Sequence, residues 1–326
     1  MRRHRFFAGG SVGLTSALEG FAAEVGAEGP VCCVGARTQW DVGGSVVAGT
    51  REVGAPTGVV AHEPAEMIVR VRAGTRLGDL DAVLAEGGQR VGLEGADDAT
   101  VGGLLAVGRS GVRRLGWGPV RDAVLEVTAV NGRGELIRSG APLVKNVTGY
   151  DLCRLFTGSL GTLGLIGEVV LRCVPLPEVE RWHVADGADP FELYRNLYRP
   201  MSILWDGERT WVALSGFEVD VEAQAREVLG SMFSAVDGPP ALPGPGRRSL
   251  RPSSVRELPA VIGDAGSWMA EVGVGVVHCD ASALECLGPV PSPAPASVEL
   301  HRRIKDNFDP SGRLNPGRRV LEGVGS

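Results

Sequence analysis

The 326-residue chain reads as a mixed α+β protein, and three features of the sequence predict this. Short apolar or alternating runs of strand character interleave with helical periodicities, without the regular β-α-β repetition of a doubly wound sheet. Asn131-Gly132 stands between two strand-like runs, which is the signal of an antiparallel hairpin. Glycine is abundant, at 48 residues, and is concentrated in the first half, where a backbone that approaches a ligand needs it.

The elements follow in chain order. Residues 16–26 form an amphipathic helix, and Val31 to Val34 is a buried strand that ends in a glycine loop. Met67 to Arg72 alternates apolar and charged residues, as a half-buried strand does. Thr75 is placed to cap a helix carrying Leu77, Leu80, Val83 and Leu84 on one face, stopped at Gly87-Gly88. Asp122 to Val130 and Gly134 to Arg138 are the arms of the hairpin, and Leu163 to Val174 is a long strand closed by Pro175 and Pro177. Beyond it the character changes. Val221 to Phe233 has helical spacing, 237–252 and 288–296 are proline-rich and expected to be irregular, and Met269 to His278 reads as one strand. From Ser297 to Arg318 a helix runs into a turn rich in Gly and Pro. The expected division is 1–175, 176–296 and a returning C-terminal segment, 297–326.

Composition excludes several functions. An apolar content of 44% and a net charge of −6 fit a soluble globular protein, and argue against a nucleic-acid or anionic-membrane partner. No apolar run is long enough to span a bilayer. The N-terminal Arg2-Arg3-His4-Arg5-Phe6-Phe7 resembles a twin-arginine signal. The stretch after it is short, contains Gly13 and reaches Glu19 before any cleavage site, so a cytoplasmic protein is expected. The six cysteines have no CxxC spacing and the five histidines are scattered, so neither a bound metal nor an iron–sulfur cluster is expected.

Four segments can carry chemistry. Val34-Gly35-Ala36-Arg37-Thr38-Gln39-Trp40-Asp41 is either an ordinary strand-to-turn transition or a loop that offers consecutive backbone N–H groups to a pyrophosphate. Asp98 to Ala106 places Gly102 and Gly103 at a helix start behind Thr100, which suits either an anion or close packing of an N-capped helix. Lys145 to Gly164 holds four glycines and several hydroxyl residues, but an apolar strand follows where a Rossmann fingerprint needs a helix. Phe308 to Arg318 is a helix stop with two tight turns.

In this order the segments resemble the FAD-linked oxidase family, whose flavin domain has the vanillyl-alcohol-oxidase (PCMH) type of fold. Gly35–Asp41 resembles the family's first phosphate loop, and Ala99–Gly103 its second pyrophosphate segment. LGWGPVRD at 115–122 resembles the stretch beside the flavin, KNVTGYDLCRLFTGSLGTLGLIGEV its most recognisable run, and DPSGRLNPGR its C-terminal signature. The resemblance implies a two-subdomain FAD-binding domain with a shortened α+β cap. It implies FAD contacts at Gly35, Ala36, Arg37, Thr38, Gln39, Thr100, Gly102, Gly103, Gly118, Gly161, Thr162 and Ile166. Histidine is missing from the first loop, so non-covalent FAD is implied.

The implied activity is oxidation of a small 2-hydroxy acid such as glycolate by hydride transfer to flavin N5, with flavoprotein and iron–sulfur partner subunits. Two alternatives stand beside it: an FAD-holding assembly subunit without its own catalysis, and an NADPH-dependent flavin reductase on the same fold. Ala36 and Arg37 replace two glycines usual in the family loop, and Arg37 either supplies a cation to the pyrophosphate or points outward. Leu160 stands where the family commonly has an acidic residue. Lys145, Tyr150 and Asp151 are candidates to orient substrate or to shape their loop, and no catalytic base is assigned.

Overall fold

The structure, a computed structural model, describes residues 11–140 and 152–320. They divide into two compact units. The first takes the chain up to Arg109 together with Pro119–Leu176 and the tail from Pro293. The second takes Ser110–Gly118, a stretch grouped with the first domain by its sequence, and Pro177–Ser292.

In the first unit, β1 (Val31–Cys33) and β2 (Arg51–Val53) pair in parallel. The other strands are β3 (Val59–Glu63), β4 (Ile68–Arg72), β5 (Gln89–Val91), β6 (Val124–Val130), β7 (Leu136–Gly140) and β8 (Leu165–Pro175). They form a sheet of order β3-β4-β8-β6-β7, with β5 added on β8 and every pairing antiparallel. The long strand expected before Pro175 is therefore the centre of the sheet, and it is buried at seven consecutive positions, Leu165–Leu171. Such continuous burial requires cover on both faces, which explains why its sequence does not alternate. Glu168 belongs to that strand for a structural reason. Arg70 on β4 reaches Glu126 at 2.7 Å and Glu168 at 2.9 Å, and all three are buried. Burial by itself would lower the Arg70 pKa, but its hydrogen bonds to the two carboxylates outweigh this and raise it.

The β6–β7 hairpin forms where Asn131-Gly132 stands, with the Asn131 side chain accepting from the N–H groups of Arg133 and Glu135. The helix Leu77–Glu86 also forms, but Arg76 rather than Thr75 stands at its N-cap. The Thr75 hydroxyl accepts from Gly58 N–H at 2.8 Å and is consumed by the neighbouring loop. At the C-terminal end of the helix Ser11–Val25, Arg51 and Arg313 both donate to carbonyls, including that of Val25. Two cations thus meet the negative end of the helix dipole, and Arg313 of the tail signature is accounted for by this contact.

The second unit is a seven-stranded antiparallel sheet. Its strands are β9 (Val179–Asp186), β10 (Ser202–Trp205), β11 (Arg209–Gly216), β12 (Ser234–Val236), β13 (Gly246–Ser249), β14 (Trp268–Glu271) and β15 (Val276–Cys279), in the order β12-β9-β11-β10-β14-β15-β13. Three expectations are corrected here. Met269 to His278 is a hairpin rather than one strand, because Gly273 and Gly275 turn the chain with φ of +82° and +85°. The helix expected over Val221–Phe233 runs as Glu218–Gln224 and then widens into a π turn, Ala225–Leu229. β13 lies inside a stretch expected to be irregular. Among the described residues no helix is long and apolar enough to cross a membrane.

Candidate cofactor-binding site

In the first unit, two adjoining clefts share Cys33, Gly35, Thr100, Gly103, Ala106 and Asn315 in their walls. One wall is the loop that leaves β1. Val34 N–H still donates to Val53, but the five amides of Gly35, Ala36, Arg37, Thr38 and Gln39 have no acceptor among the described residues. Consecutive free amides make an anion-binding concavity, and Arg37 contributes the left-handed backbone typical of one, at φ +59°. Gly35 is a glycine because a Cβ there would overlap the Thr100 hydroxyl. The Arg37 guanidinium is engaged by other side chains. It reaches both carboxylate oxygens of Glu52 at 2.7 Å and lies 4.6 Å from the Trp40 ring centre.

Against this loop lies the start of the helix Val101–Val107, whose cap is Thr100. The sequence leaves open an anion or close packing here, and the geometry shows close packing of the helix start against Ala73. Val101 N–H donates to Thr75, Gly102 N–H to Ala73 at 2.7 Å, and Gly103 N–H to the Thr100 hydroxyl at 3.2 Å. The first three amides of the helix are thus all used within the protein. A Cβ on Gly102 would stand 2.7 Å from the Ala73 Cβ, so this glycine lets two backbones touch.

The floor comes from the tail. Asp309 is buried and accepts from Leu314 N–H at 2.8 Å and from Lys305 at 2.5 Å, which folds the signature onto the unit. Asn315 then donates to the Leu160 carbonyl at 2.5 Å, while its Oδ1 is buried without a partner. Gln39 Oε1 is orphaned in the same way. Burying an amide oxygen unsatisfied costs about 1–3 kcal/mol, so two such atoms on residues that line the same cleft suit donors from a ligand. The tail reads in sequence as turns alone. The signal for its role is an Asn held at positive φ beside a glycine loop.

Ten of the twelve residues singled out by sequence line this pair of clefts: Gly35, Ala36, Arg37, Thr38, Gln39, Thr100, Gly102, Gly103, Gly161 and Ile166. Thr162 does not. It is buried, and its hydroxyl donates to Ser159 at 2.8 Å. Gly118 belongs to the second unit. Lys145, Tyr150 and Asp151 lie outside the described residues. Leu160 lines the cleft, and so do Cys33, Trp40 and Arg318, which the sequence reading did not select. Burial pushes the Cys33 thiol up to about 12, so it stays neutral at physiological pH.

Comparison with known proteins agrees with this architecture. Residues 23–140 match the family described as an FAD binding domain. The chain is 30% identical to glycolate oxidase subunit GlcE of Escherichia coli K12, over 90% of this chain and 93% of that one. The chain belongs to the FAD-linked oxidase family. Other members align over shorter stretches. Glycolate oxidase subunit GlcD of Bacillus subtilis is 40% identical over 30% of this chain and 20% of its own length. D-lactate dehydrogenase of Anaerostipes hadrus is 35% identical over 46% of this chain and 32% of its own. A solved structure of alkyldihydroxyacetonephosphate synthase superposes with a TM-score of 0.66 at 12% identity, over 88% of this chain and 72% of that one. This FAD-linked oxidase is therefore an FAD-dependent oxidoreductase with the PCMH-type fold, related to glycolate oxidase subunits and D-lactate dehydrogenases.

Proposed function

We propose that this chain is the FAD-holding subunit of an oxidoreductase for a small 2-hydroxy acid such as glycolate. The observation that carries the reading is the row of five free amides, Gly35–Gln39, beside the orphaned oxygens of Gln39 and Asn315. The amides suit a diphosphate, and the two oxygens, being acceptors, suit hydroxyl or amino groups of the dinucleotide. The loop contains no histidine, so FAD is held without a covalent bond. When bound, the flavin would supply the two-electron acceptor, at N5, for the hydride of the hydroxy acid's α-carbon. The residues of this chain bind and orient it, and keep Cys33 protonated in the cleft wall. The name of the Escherichia coli relative, a glycolate oxidase subunit, supports a multi-subunit assembly. In it a second flavoprotein and an iron–sulfur subunit receive the electrons, in the cytoplasm.

A second reading, an FAD-holding subunit without its own catalysis, rests on the fact that no residue lining the clefts is assigned as a catalytic base. His62 is tied to Gln89 at 2.9 Å and His278 to Glu271 at 2.7 Å, so both are used by the fold. Anaerobic addition of glycolate or D-lactate to the purified yellow protein separates the two. Bleaching of the flavin bands by the chain alone supports catalysis, and bleaching only after a partner is added supports the second reading. A colourless protein that FAD does not reconstitute sinks both.

A further inference from the structure

The cleft that carries five free amides also contains a guanidinium that forms no ion pair among the described residues. Arg318, from the tail, lines it. Through Nη1 alone it donates to the carbonyls of Trp40, Val42 and Gly44, and its carbon Cζ lies 4.4 Å from the Trp40 ring centre. Among the described residues it forms no ion pair, Asp41 acts on it only at longer range, and its Nε and Nη2 donors have no partner. Arg37 is the reverse case, with both oxygens of Glu52 on its Nη2 at 2.7 Å. The two arginines flank the same tryptophan, yet only one of them has charge to spare.

We propose that Arg318, and not Arg37, is the cation that holds the diphosphate of the dinucleotide. The assignment rests on the flavin reading above. The three carbonyls fix one edge of the guanidinium and the Trp40 ring supports its plane, so the other edge is pre-organised to give two parallel hydrogen bonds to phosphate oxygens. Burial lowers the Arg318 pKa, and the nearby Cys32 and Asp41 offset only part of this, so the cation is partly withdrawn from water with its charge incompletely balanced. A diphosphate supplies the rest of that balance.

The test titrates the full-length chain, stripped of flavin, with inorganic pyrophosphate and with FAD, following tryptophan emission. R318Q is expected to weaken both ligands by about tenfold or more, roughly 1.4 kcal/mol, and to flatten the salt dependence of FAD affinity. R37Q is expected to change either affinity by less than about twofold, because Glu52 already neutralises Arg37. Equal losses in the two variants, or unchanged binding in R318Q, overturn the assignment. Arg318→Met keeps the packing on Trp40 and replaces R318Q if that variant unfolds. Wild-type protein that binds pyrophosphate through Arg318 but does not bind FAD keeps the assignment and defeats the flavin reading. FAD bound equally by wild type and R318Q does the opposite.

Discussion

The loop Gly35–Gln39 and the helix start Thr100–Gly103 face the same cleft, and they use their backbone donors in opposite ways. In sequence they look alike, since each combines glycine with a hydroxyl residue at the end of a structured run. In the fold, the loop leaves five amides open, while the helix start gives each of its first three to Thr75, Ala73 or Thr100. Glycine next to a cleft therefore marks two different requirements. Gly102 allows close approach of protein to protein, and the loop around Gly35 exposes backbone to a ligand. A substitution that separates stability from cofactor affinity tells the two apart.

The largest effect is expected at Gly102. In G102A the new methyl would stand 2.7 Å from the Ala73 Cβ and 3.0 Å from its carbonyl oxygen. Neither atom belongs to a flexible side chain, so the backbones must separate. Overpacking of this kind costs about 1–3 kcal/mol, more than alanine returns in helix propensity, and the denaturant midpoint is expected to fall accordingly. Unchanged stability with lost FAD affinity would break the comparison, since it would make Gly102 a ligand contact after all.

Removing the cap is expected to cost less. T100A loses the hydroxyl that accepts from Gly103, a change worth about 1 kcal/mol. Its cost is expected to be flat between pH 3 and pH 7 by urea melts, because a hydroxyl does not titrate in that range. Asp280 caps the helix Ala281–Cys286 with a carboxylate instead, accepting from Ala283 and Ser267 at 2.8 Å. Hydrogen bonds from Ala283 and then Ser267 hold its pKa below the usual carboxylate value. A depressed folded pKa gives stability that is present above the unfolded value and is lost as pH falls through the folded one. The penalty of D280A is therefore expected to shrink below about pH 4 while that of T100A stays constant. Parallel pH profiles would contradict the sign of that shift.

Much of the first unit was legible in the sequence, and the site less so. The hairpin at Asn131-Gly132 and the central strand closed by Pro175 follow from turn chemistry and apolar runs, both of which are local. The hairpin at Gly273 and Gly275 was missed because apolar residues flank the glycines and hide the turn. Thr75 was misread as a cap because Gly58, seventeen positions earlier, takes its hydroxyl. The roles of Asn315 and Arg318 were invisible for the same reason on a larger scale. Their partners, Leu160 and Trp40, are 155 and 278 positions away. Turn signals state that the chain bends, not what the bend delivers its side chains to.

The smallest effect is expected at Arg37, and it is the sharpest test of the loop. Arg37 holds a left-handed backbone that costs a side-chain-bearing residue about 1 kcal/mol relative to glycine. R37G removes that strain. It also removes an exposed ion pair with Glu52 and a contact with Trp40, each worth up to about 1 kcal/mol, and glycine adds freedom to the unfolded chain. The terms oppose one another, so stability is expected to move by less than about 1 kcal/mol in either direction. Glycine reproduces the same φ, so the five amides keep their arrangement and FAD affinity is expected to hold within about twofold, read by flavin fluorescence on rebinding. If the backbone of the loop holds the ligand, the side chain at 37 is dispensable. A tenfold loss in R37G with the fold intact would place the binding in the guanidinium instead, and would make the loop resemble an arginine clamp rather than an amide cradle.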